Sequence, residues 1–62
     1  MKKKLLNGEI IDFTNGVDSF TLWFEPKTNN FCLEQNAKVI KATKTFKPIQ
    51  NKLDGIRNLV EL

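Results

Sequence analysis

The chain has no histidine and no tyrosine, one cysteine, one arginine and only three glycines, all isolated. Each shortage closes off some chemistry. Without histidine, the commonest general base and metal ligand near neutral pH is missing. Cys32, as the single cysteine, allows no internal disulfide and no cysteine-built zinc site. No activating base stands near it in the sequence, so it reads as a small packing residue and not a nucleophile. The carboxylates Glu9, Asp12, Asp18, Glu25, Glu34, Asp54 and Glu61 are scattered, with no acid/base or metal-ligand spacing among them. They read as solvated partners for lysines. The glycines form no phosphate-cradling loop. The expectation is a non-enzyme with no metal and no cofactor.

Long apolar runs are also missing. The opening M-K-K-K-L-L-N-G-E imitates the start of a signal peptide, but its apolar stretch stops at Asn7. No segment approaches the length needed to cross a bilayer, so no membrane partner is expected. A single free cysteine suits a reducing compartment, and the expected location is the cytoplasm.

A chain of 62 residues is expected to form one domain, burying about 60% of its unfolded surface. Its stability should be only a few kcal/mol unless packing, a partner or self-association adds to it. The net charge is +3 and the pI about 9.3. With Arg57 the only arginine, the forked contacts that dominate phosphate and guanine recognition are scarce.

What is present is dense turn punctuation between β-prone runs. Asn7-Gly8 and Asn15-Gly16 each separate apolar segments, the strongest short hairpin signal. Pro26 and Asn29-Asn30 mark a longer loop, and Asn36 a further turn. Strands are therefore expected at about 2–6, 9–14, 17–25, 31–35 and 38–44. In the last of these, Val39, Ile40 and Thr43 favour a strand over a helix. Beyond it, Ile49, Leu53, Ile56 and Val60 recur at helical spacing with Leu59 beside them, predicting a helix over about 46–60. Pro48 suits its first turn, Thr45 is the expected N-cap, and Gly55 is a weak point inside the stripe. The fold class expected is α+β: an antiparallel meander of four to five strands with one C-terminal amphipathic helix packed on one sheet face.

The turns also suggest registers. Phe24 should face Phe31, Leu22 face Leu33 and Trp23 face Cys32; across Asn15-Gly16, Phe20 should face Ile11 and Thr21 face Ile10. One face then carries Ile11, Phe13, Phe20, Leu22, Phe24, Phe31 and Leu33, the expected core. The other carries polar residues with Ile10, Trp23, Cys32 and Leu5 among them. An apolar cluster on an uncovered face suggests an interface, and tryptophan is enriched in binding hot spots. The competing reading is that a strand or the N-terminus folds over and buries it.

A second feature is the ladder Lys38, Lys41, Lys44 and Lys47, at three-residue intervals. On a regular strand that spacing sends Lys38 and Lys44 to one face and Lys41 and Lys47 to the other. Together with Phe46 these lysines are the candidate nucleic-acid contacts; the competing reading is a solvated edge strand on which lysine discourages unwanted pairing.

The function these patterns favour is a small interaction module that binds a protein partner through Ile10, Trp23 and Cys32. Its size and composition are those of phage or mobile-element inhibitors of a host factor. The alternatives are a small basic nucleic-acid-binding protein using the lysine ladder, and a structural homodimer.

Overall fold

The structure, a computed structural model, describes residues 1–62. Five antiparallel strands form one sheet and two helices cover one side of it. In chain order the elements are α1 (Lys2–Leu6), β1 (Ile11–Thr14), β2 (Ser19–Glu25), β3 (Asn30–Gln35), β4 (Lys38–Thr43), α2 (Lys47–Asp54) and β5 (Val60–Glu61). The sheet order is β4-β3-β2-β1-β5. The α+β meander with a helix near the C-terminus is thus what the chain adopts.

The first segment is a helix and not the strand expected over residues 2–6. The same Asn-Gly pair that suggested a hairpin ends α1 instead. Asn7 is the cap and Gly8 follows with φ +90°. The Gly8 N–H donates to the Leu5 carbonyl at 3.0 Å and the Glu9 N–H to the Lys4 carbonyl at 3.1 Å. That crossed pair is a Schellman motif, which needs the same left-handed residue as a type I′ turn. Sequence pattern alone does not separate the two uses. As a helix, the segment turns Leu5 inward, and Leu5 is fully buried in the core instead of lying on the open face.

The β1–β2 loop is two residues longer than Asn15-Gly16 alone would make it. The Asn15 side chain accepts from the backbone N–H groups of Val17 at 2.9 Å and Asp18 at 2.7 Å. A four-residue loop results, and the register is Ile11 opposite Leu22 and Phe13 opposite Phe20. Phe20 therefore does not face Ile11, nor Thr21 Ile10. The slip is by two, so each side chain keeps its face.

The β2–β3 hairpin has the expected register, with Leu22 opposite Leu33, Trp23 opposite Cys32 and Phe24 opposite Phe31. At the β3–β4 turn both Asn36 and Ala37 have positive φ, 51° and 69°, the signature of a two-residue type I′ turn. Asn36 also ties this turn to the neighbouring one. Its Oδ1 accepts from the Ser19 N–H at 3.0 Å and its Nδ2 donates to Asp18 at 2.8 Å.

The expected 46–60 helix is shorter than its apolar pattern. It ends at Asp54 with Gly55 as its cap. The chain then reverses through Asn58, φ 61°, and Val60 leaves the stripe to pair with Thr14 as β5. Ile56 and Leu59 still pack against the core. Pro48 does lie in the first turn, but the N-cap is Phe46 and not Thr45, with no side-chain cap bond. Phe46 instead sets its ring edge-on against Phe31, centroids 5.4 Å apart; there packing, not capping chemistry, fixes the helix start.

The core is one cluster. Ile11, Phe13, Phe20, Leu22, Phe31 and Leu33 from the sheet meet Leu5 of α1 and Ile49 and Leu53 of α2. Phe24 borders it half-buried, 5.0 Å from Phe31. Both helices thus lie on the same sheet face, and the other face has neither helix over it.

Candidate functional site

The open face is read off the strand registers. Trp23 pairs with Cys32, and Cys32 with Ala42. Continuing the β1–β2 register one step sets Ile10 opposite Trp23. The two-residue slip in that hairpin therefore aligns Ile10 with Trp23 instead of Thr21. Ile10, Trp23, Cys32 and Ala42 form an apolar row across four strand positions. Ile10 is 66% exposed, Ala42 is exposed and Trp23 is half-buried, while Cys32 is 8% exposed. The three residues singled out from sequence as a partner surface do share one face and one row, with Ala42 as an unforeseen fourth member.

A further apolar residue joins through an irregularity in β4. Leu33 pairs with Lys41 but Glu34 pairs with Val39, so Ile40 is an extra residue, a β-bulge. Val39 and Ala42 stand three apart and on a regular strand would point to opposite faces. The bulge brings both to the open face, where Val39 is 49% exposed. Ile40 turns to the core.

The same bulge corrects the reading of the lysine ladder. Lys41 opposes Leu33 and Lys38 opposes Gln35, and both partners belong to the helix-covered face. The two lysines therefore share one side, where a regular strand would separate them. Lys44 lies past the strand end, and its Nζ donates to the Thr28 carbonyl at 2.6 Å. Lys47 opens α2. The ladder is a bulged edge strand followed by a loop and a helix start, not one row of phosphate contacts. β4 is an edge of the sheet, the setting in which lysines oppose strand addition.

Polar residues flank the apolar row. On one side lie Asp12, Thr21 and Glu34, mutually opposed across β1, β2 and β3; on the other lie Glu25 and Asn30. The Thr21 hydroxyl donates to Asp12 at 3.0 Å, and the Lys27 backbone N–H donates to Glu25 at 2.9 Å. Asp18 and Asp54 take theirs from the amides of Asn36 and Gln50. These four carboxylates are thus held by neutral groups, where lysine partners were expected.

Cys32 feels this environment. Its thiol pKa is raised, first by burial and then by the negative charges of Glu25 and Glu34. That is the opposite of the shift that activates a nucleophilic cysteine. No group of three or more His, Cys, Asp or Glu side chains gathers anywhere in the molecule. No helix is long and apolar enough to cross a membrane.

No protein-family model matches the sequence, and no curated protein or solved structure shows significant similarity to it.

Proposed function

We propose that the chain is a small non-enzymatic module that docks a protein partner on its open sheet face. The observation that carries this reading is the Ile10–Trp23–Cys32–Ala42 row, apolar and without a helix over it. A small domain normally spends its largest side chains on its core. Here the single tryptophan stands on the opposite face, in line with exposed Ile10, and exposed Val39 lies on the same face of β4. Tryptophan is enriched among the few residues that carry most of an interface's binding energy. On size and composition, the module is of the phage or mobile-element kind that acts by occupying a host factor.

The test is Trp23→Ala in a capture experiment from native host lysate treated with nuclease. The variant should keep its cooperative thermal transition and lose the protein partner that the unmodified chain retains. Outright unfolding of the variant would make Trp23 structural and remove the basis of the reading.

A further inference from the structure

We infer that the partner surface taken by the open face is a protein surface with an apolar centre rimmed by lysine or arginine side chains. This rests on the reading that the face docks a protein, and adds the chemistry of what docks there.

The argument is the distribution of charge about the sheet. The chain as a whole is positive, +3. Yet β1, β2 and β3 contain no lysine and no arginine, and their three acids are Asp12, Glu25 and Glu34. Register and alternation send all three to the open face, Asp12 and Glu34 along one side of the apolar row and Glu25 along the other. Asp12 and Glu25 accept hydrogen bonds from a hydroxyl and a backbone amide, which orient the carboxylates and leave their charge in place. Burial first, and then the Glu25 and Glu34 carboxylates, favour the protonated Cys32 thiol in the middle of the row.

The opposite side has the opposite sign. Helices α1 and α2 carry the exposed lysines Lys2, Lys3, Lys4, Lys47 and Lys52, and the acids on this side are Asp54 and Glu61, the latter through its pairing with Phe13. Lys38 and Lys41 join that side through the β4 bulge. The molecule therefore presents an acidic apolar face and a basic helical one.

This polarity selects among occupants. A second copy placed face to face would set Asp12, Glu25 and Glu34 near the same residues, a like-charge arrangement that interfaces avoid. A nucleic acid would bring phosphates to a negative rim. A protein surface with an apolar centre and cationic edge satisfies both parts, burying the row while its cations meet the three carboxylates.

The experiment is a titration of the isotope-labelled full chain, followed by amide and indole chemical shifts at low ionic strength. The probes are three synthetic amphipathic peptides with the same leucine stripe, flanked by lysine, glutamine or glutamate. The lysine peptide should shift Ile10, Trp23, Cys32 and Ala42. It should bind roughly tenfold tighter than the glutamine peptide, the sum expected of three rim-exposed pairs. The advantage should shrink with added salt and fall to about twofold in Glu25→Gln/Glu34→Gln, which keeps side-chain size and leaves Asp12 as the one remaining rim carboxylate. Equal binding of lysine and glutamine peptides at this face would overturn the cationic rim and leave the docking reading standing. No shift at the face with any of the three would overturn both.

Discussion

Trp23 stands directly opposite Cys32 in the β2–β3 ladder, on the face that neither helix covers. The pair shows how an uncovered face can still bury a small side chain. Cys32 is only 8% exposed, because a residue in a central strand is shielded by neighbours on both sides. The tryptophan, too large to be hidden in this way, is only half-buried.

The environment of Cys32 has a consequence for pH dependence. Burial, Glu25 and Glu34 all favour the protonated thiol over its ordinary value of 9.0. A group with a raised folded-state pKa contributes stability that is complete below the unfolded pKa and is lost as pH rises through the folded one. Chemical-denaturation midpoints should therefore show no thiol contribution to the slope at neutral pH and a decline as pH rises past the thiol's ordinary 9.0. Cys32→Ser should lack that decline. Alkylation of the native thiol should be slow at neutral pH and fast once the chain is denatured.

Ala37 occupies a left-handed conformation, φ 69°, at the second position of a type I′ turn, where glycine is preferred. Ala37→Gly should stabilise the fold by on the order of 1 kcal/mol, relief of backbone strain outweighing the added freedom of the unfolded chain. Thermal melting should rise by about 4–8 °C.

Gly8 has open space around it, with nothing near an added Cβ, so Gly8→Ala tests backbone conformation alone. At φ +90° the substitution should cost about 1 kcal/mol and loosen the α1 cap, seen as faster amide exchange at Gly8 and Glu9. Leu5→Ala removes the fully buried anchor of the same helix and should cost about 2–5 kcal/mol. In a domain of this size that loss is enough to unfold much of the population.

Charge separation makes a prediction about polyanions. Short duplex DNA at low salt should leave the Trp23 indole and the Cys32 amide unshifted. Weak shifts should fall on the helical side, at Lys2–Lys4, Lys47 and Lys52, and should vanish near physiological salt. Shifts centred on Lys38, Lys41 and Lys44 that weaken with salt yet persist near physiological salt would instead make the lysine ladder a nucleic-acid site.

Much of the fold was legible from residue order because it rests on local alternation. Phe20, Leu22, Phe31 and Leu33 declare their face by period two. A hairpin slip of two residues in β1–β2 did not disturb that assignment, since face depends on parity and not on register. The segments misread from sequence were those where one local signal serves two structures. Asn7-Gly8 supplies a left-handed residue to a helix end as readily as to a turn. Ile56 and Val60 continue a helical period past Gly55, although the helix has already stopped.

The amino-acid sequence by itself determined the α+β class, the core side of the central strands, the Trp23–Cys32 pairing and the scarcity of catalytic groups, because these follow from composition and short-range pattern. Tertiary structure alone decided that α1 joins α2 on one face, that β5 returns to pair with β1, and that a bulge at Ile40 moves Lys41 to the helical side and sets Val39 and Ala42 on the open one. These depend on which chain segments meet after folding, and a bulge reverses the alternation on which strand reading relies. The result is an apolar row with an acidic rim on an otherwise basic molecule.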